Sequence, residues 1–112
     1  MRAVIFKEHG DIDRLIYTDV PEPKIGPDEA LVRVRACALN HLDIWTREGM
    51  PGITIPLPHI LGCDIAGEIE ELGAGIKGMA RGTRVVVAPG ISCGTCRWCS
   101  SGWDSLCDEY KI

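Results

Sequence analysis

Four cysteines crowd into fifteen residues of this chain, Cys93, Cys96, Cys99 and Cys107, in the pattern C-x2-C-x2-C-x7-C. The two-residue gaps turn successive sulfurs inward onto one ion, and the longer excursion returns the fourth to close a tetrahedral shell. Zinc is the natural occupant, because an all-thiolate tetrahedron suits a borderline-soft ion without redox chemistry. Gly94 and Gly102 supply the backbone freedom that such a knuckle needs. A closed four-thiolate site leaves no open position for substrate, so a metal there holds structure and does no chemistry. Other uses of the four thiols fit less well. A ferredoxin-type run brings its fourth cysteine after three residues and before proline, whereas here the gap is seven and Asp108 follows. A redox C-x-x-C precedes a helix in a βαβ unit, and Arg97-Trp98-Cys99-Ser100-Ser101-Gly102 does not read as one. A disulfide framework needs an oxidising compartment, and the N-terminal residues carry too few apolar side chains for a signal peptide.

At 112 residues the chain accommodates one domain, which buries roughly 65% of its unfolded surface on folding. The net charge of −4 withholds the basic footprint of a nucleic-acid binder. No apolar run approaches membrane-spanning length, so neither nucleic acid nor membrane is an expected partner. Six cysteines without an export signal point to the cytoplasm.

The strand signals come early. Residues 2–6 and 14–20 read as a hairpin around the turn at Glu8-His9-Gly10-Asp11, and three prolines with Gly26 then reset the chain direction over residues 21–28. Residues 29–38 alternate, with Val32, Val34 and Ala36 on one side and Arg33 and Arg35 on the other, the pattern of a half-buried strand. Asn40 and Gly49 bracket a short helix. After a proline-rich loop, strands resume at residues 63–72 and 83–88. Short strands punctuated by glycine and proline argue for a mainly β chain, a barrel or sandwich. Gly73-Ala74-Gly75-Ile76-Lys77-Gly78 is a literal G-x-G-x-x-G, yet no helix has room to follow it before the next strand, and residues 91–101 contain no acidic group to bind a ribose. It reads as a strand-to-strand turn.

In order along the chain, the hairpin, the turn from Pro21 to Pro27, the strand ending at Asn40, the run Pro58-His59-Ile60-Leu61-Gly62-Cys63-Asp64-Ile65-Ala66-Gly67 and the four-cysteine lobe resemble the medium-chain zinc-type alcohol dehydrogenases and their quinone oxidoreductase relatives. The resemblance implies a GroES-like β-barrel with a zinc-binding lobe at its C-terminal end. It makes residues 1–112 the N-terminal part of the catalytic domain, with the lobe at about 90–110. The Rossmann domain that binds NAD or NADP in that family would lie outside this chain. The resemblance therefore implies a nicotinamide-dependent oxidoreductase acting on a small molecule, in which self-association into a homo-oligomer is open.

The usual catalytic zinc ligands of the alcohol dehydrogenases are altered here. Their cysteine nine residues before the glycine matching Gly49 is Asn40, and their histidine-glutamate pair after the glycine matching Gly62 is Cys63-Asp64. Their third ligand falls beyond Ile112. Cys37 stands three residues out of register with Asn40, and its parity matches Arg33 and Arg35, away from the apolar side. Asn40 and the Gly62-x-Asp64 pattern resemble instead the zinc-independent quinone oxidoreductases. That implies hydride transfer from a reduced nicotinamide to a quinone or an activated double bond. The Asn40 amide or the His41 imidazole would polarise the substrate carbonyl, and Asp43 would orient its neighbours. The alternative is an alcohol dehydrogenase whose catalytic zinc takes Cys63, helped by Asp64 or His59. A third reading, of another class, is a non-catalytic interaction module braced by zinc. Barrel strands missing from the chain would leave open sheet edges, which predicts self-association or marginal stability.

Overall fold

The computed structural model describes all 112 residues. Two three-stranded antiparallel sheets carry the chain, with strand orders β2-β1-β4 and β3-β5-β6. The strands are β1 (Arg2–Phe6), β2 (Ile16–Asp19), β3 (Ala30–Ala38), β4 (His59–Ile60), β5 (Asp64–Leu72) and β6 (Arg84–Val86), and the helices are α1 (His41–Glu48) and α2 (Arg97–Ser100). The mainly β expectation holds. Three local expectations change. The second hairpin strand starts later than residue 14, because the Asp11 side chain accepts the Ile12 N–H and caps a single 3-10 turn at Ile12–Arg14. The proline-rich loop contributes the short strand β4, which adds to β1 through Ile5–Ile60 and Phe6–His59. One helical turn, α2, does follow Cys96 in the lobe.

The long β3–β5 pairing is interrupted twice. Glu70 is the extra residue on β5 opposite the Leu31–Val32 step, and Arg35 is the extra residue on β3 between Val34 and Ala36. A bulge of this kind advances one strand by a residue and so exchanges the faces beyond it. Cys37 therefore pairs with Ile65 and shares a face with Ile69, and its sequence parity with Arg33 and Arg35 misleads. Gly67 sits against this bulge, where a Cβ would come within 2.4 Å of the Arg33 carbonyl oxygen. Arg33 and Arg35 form ion pairs with Glu70 and Glu68 on the exposed surface of the sheet.

The glycine pattern is the turn that the sequence predicts. Gly73 N–H donates to the Glu29 carbonyl and Gly75 N–H to that of Pro27. A Cβ on Gly73 would meet the Pro27 carbonyl oxygen at 2.2 Å, so these glycines allow two turns to touch and offer no cradle to a phosphate.

Burial is concentrated where the hairpin meets α1. Phe6 is fully buried, with Ile5 beside it, and the rings of His9 and His59 each lie 5.6 Å from the Phe6 ring. Arg47 is the one buried charged residue. It donates to the Gly10 carbonyl at 2.7 Å, while Gly10 N–H donates to the Arg47 carbonyl at 3.0 Å, which ties the end of α1 to the first hairpin turn. Elsewhere the sheets stay open. The radius of gyration is 15.8 Å, against about 13 Å for a compact domain of this length. Val34, Val86, Trp45 and Leu39 are among the large apolar side chains left exposed. No helix is long and apolar enough to cross a membrane.

Candidate functional site

The cysteine lobe hangs from the end of the second sheet and closes on itself through an antiparallel bridge between Ile91 and Lys111. Tyr110 lies directly over Gly90, where a Cβ would come within 2.1 Å of its hydroxyl oxygen. Inside the loop, α2 and a 3-10 turn at Asp104–Leu106 aim all four sulfurs at one point. The ligand atoms of Cys93, Cys96, Cys99 and Cys107 lie within 4.8 Å of one another, with Cys93–Cys99 at 3.8 Å and Cys96–Cys99 at 3.5 Å. A tetrahedron with zinc–sulfur bonds of about 2.3 Å has edges of about 3.8 Å, so the cage has the size of zinc.

Backbone amides converge on the same sulfurs. Cys96 N–H donates to the Cys93 sulfur at 3.4 Å, Cys93 N–H to the Cys107 sulfur at 3.5 Å, and Glu109 N–H to the Cys107 sulfur at 3.4 Å. Donors of this kind stabilise thiolate and hold a ligand in place. The amides of Thr95 and Cys96, then the Thr95 hydroxyl and the Cys107 thiol, bring Cys93 down to about 6. Hydrogen bonding, led by Ser92, lowers Cys99 also. At Cys107 the amides of Cys93 and Glu109 pull downward, but burial and the sulfurs of Cys93 and Cys99 prevail and push it up to about 11. Four adjacent thiolates repel one another, and a cation bound among them offsets that repulsion.

The second place where the expected residues meet is the corner between α1 and β5. Asn40 caps α1: its side-chain oxygen accepts the Leu42 N–H at 3.0 Å, and its own backbone N–H donates to the Asp43 carboxylate at 2.9 Å, completing a capping box. With the oxygen committed to the helix, the amide nitrogen faces β5 and donates to Asp64 at 3.0 Å. Asn40, Asp43 and Asp64 thus form one chain of hydrogen bonds, and Cys63 stands next to it. Burial pushes the Cys63 thiol above its ordinary value, and the negative charges of Asp64 and Asp43 act in the same direction. His41 is turned along the helix, edge-on to Trp45 with ring centroids 4.7 Å apart. His59 lies apart, packed on Phe6. The cysteine lobe is the only group of three or more His, Cys, Asp or Glu ligand atoms that converge on one point.

The sequence pointed to Asn40 and Asp64 separately without pairing them, and it passed over Arg47 and His9. His9 Nδ1 lies 3.1 Å from the Thr46 carbonyl oxygen at the end of α1. The available signal was a lone arginine in the last turn of a helix closed by Gly49, next to carbonyls that need donors.

Residues 26–112 match the family model described as the alcohol dehydrogenase GroES-like domain. An NAD-dependent alcohol dehydrogenase of Sulfolobus acidocaldarius is 34% identical, across 99% of this chain and 33% of that protein. An L-threonine 3-dehydrogenase of Rhizobium etli is 38% identical, across 96% of this chain and 31% of that protein. The crystal structure of an NAD-dependent alcohol dehydrogenase superposes with a TM-score of 0.92 at 46% identity, covering 100% of this chain and 33% of that one. A quinone oxidoreductase from Coxiella burnetii superposes less closely, with a TM-score of 0.72 at 32% identity over 83% of this chain and 30% of that one. The chain spans about a third of the length of the relatives it matches.

Proposed function

The chain belongs to the alcohol dehydrogenase GroES-like domain family, and we propose that it forms the N-terminal part of the catalytic domain of a nicotinamide-dependent dehydrogenase that interconverts an alcohol and its carbonyl compound. The kinship with alcohol and threonine dehydrogenases over nearly the whole chain carries this reading, and it favours alcohol oxidation over the quinone chemistry expected from Asn40 and the Gly62-x-Asp64 pattern. The lobe is assigned a structural zinc on Cys93, Cys96, Cys99 and Cys107, whose donor set and dimensions fit it. That zinc braces the lobe and takes no part in the reaction.

Oxidation of an alcohol to its carbonyl compound removes a hydride from carbon and a proton from the hydroxyl. The nicotinamide would accept that hydride when bound. The glycine turn at residues 73–78 does not fit its phosphates, and none of these residues is assigned to hold it. Asn40 spends one amide hydrogen on Asp64 and keeps the other for a substrate oxygen. The exposed His41 imidazole, one residue further on, is the neighbouring group able to accept the hydroxyl proton.

The test takes the whole protein that carries residues 1–112 together with its nicotinamide-binding domain, supplies NAD+ or NADP+ and secondary alcohols, among them threonine and polyols, and follows formation of reduced nicotinamide. Alcohol-dependent reduction supports the reading. Reduction of quinones by NAD(P)H without any alcohol oxidation contradicts it and restores the quinone oxidoreductase alternative, which the Asn40–Asp64 pair favours. Neither activity, in whole protein that carries its zinc and binds the nicotinamide, leaves the interaction module.

A further inference from the structure

We propose that the corner between α1 and β5 is a cation-excluding clasp, in which an amide N–H of Asn40, donated to the Asp64 carboxylate, ties helix to strand where a bound metal would otherwise bridge them. The orientation of the amide carries the argument. Its oxygen accepts the Leu42 N–H inside the capping box, so flipping the group would set two hydrogen-bond donors against each other and two acceptors against each other. What Asp64 meets is therefore the positive end of an amide. A metal ion needs lone pairs, and an amide NH2 offers none.

The other candidate ligands do not converge on this corner. Asp43 accepts the Asn40 backbone N–H, His41 is turned along the helix edge-on to Trp45, and His59 packs against Phe6 on the other sheet. Cys63 stands beside two carboxylates and in a partly buried position that favour its neutral thiol. The contrast with the lobe is chemical. In the lobe four sulfurs converge on one point, whereas here Asn40 presents Asp64 with an N–H in place of a lone pair and no three ligand atoms come together. The catalytic zinc that the family resemblance implies does not fit these residues, and no step of the reaction is routed through one. Asn40 is thus a positioning residue for the helix as well as the donor nearest the proposed substrate oxygen.

This proposal rests on the dehydrogenase reading for the identity of the corner, but metal content does not depend on turnover, so the two can fail separately. Zinc-loaded protein is equilibrated with Co2+ and gel-filtered, and both metals are counted. Wild type and the isosteric Asp64→Asn variant are expected to hold one zinc per chain and no cobalt. Asn40→Asp keeps an oxygen for the helix cap while replacing the donor facing Asp64 with an acceptor. It is expected to gain one Co2+ per chain with its helix intact by circular dichroism. A second metal in wild type that disappears in Asp64→Asn would overturn the clasp. So would a folded Asn40→Asp variant that gains no cobalt, since the donor hydrogen would then not be what keeps cations out.

Discussion

The cysteine lobe and the α1–β5 corner both surround potential ligand atoms with N–H donors, and they arrange those ligand atoms differently. In the lobe, amides of Cys93, Cys96 and Glu109 point at sulfur and draw negative charge together. At the corner, Asp43 and Asp64 are each met by a donor from Asn40, and burial with the two carboxylate charges pushes the ionisation of Cys63 upward. What separates the two is convergence: four ligand atoms meet at one point in the lobe, and no three meet at the corner.

The contrast can be broken most forcefully at the lobe. Structural zinc in small domains is worth roughly 10–16 kcal/mol of binding free energy, and the only buried lobe residue is Cys107 itself. Chelation or Cys99→Ser is expected to unfold residues 91–111 while both sheets persist, which limited proteolysis before and after zinc removal would show. Survival of the lobe as a protease-resistant unit without metal would erase the difference between the two regions.

At the other end of the chain, stability should come from packing. Phe6 is the one fully buried large side chain and touches both His9 and His59. Phe6→Ala is expected to cost about 3–5 kcal/mol, read as a lower urea midpoint, without loss of zinc. Arg47→Met removes the donor to the Gly10 carbonyl and is expected to cost about 2 kcal/mol, again with zinc retained. Zinc lost alongside either change would mean that the regions are energetically one.

The smallest effect concerns reactivity. Alkylation proceeds through thiolate. Cys63, with its ionisation pushed upward, should therefore react more slowly at neutral pH than a free thiol and speed up only above the ordinary thiol range. Cys37, an exposed thiol of the same protein, supplies the comparison and should react faster. Mass spectrometry of timed alkylation separates the two sites, and equal rates would contradict the electrostatic contrast.

The lobe was legible from sequence because its information is local: spacing alone brings the four sulfurs together. The cap at Asn40 and the stop at Gly49 were legible for the same reason, each acting on its own helix. Long-range pairings were not. The bulge at Arg35 exchanges the faces beyond it, so parity placed Cys37 on the wrong side. The Asn40–Asp64 bond spans 24 residues and depends on how the cap orients the amide, which no periodicity records. Arg47 escaped notice because its partner is a backbone carbonyl, to which composition is blind.

X-ray absorption at the zinc edge tests the central claim most directly, because it counts the atoms around every zinc in the protein at once. A single shell of four sulfurs at about 2.3 Å and one zinc per chain are expected. A shell mixed with nitrogen or oxygen at about 2.0–2.1 Å, together with two zincs per chain, would place metal at the corner and contradict that claim.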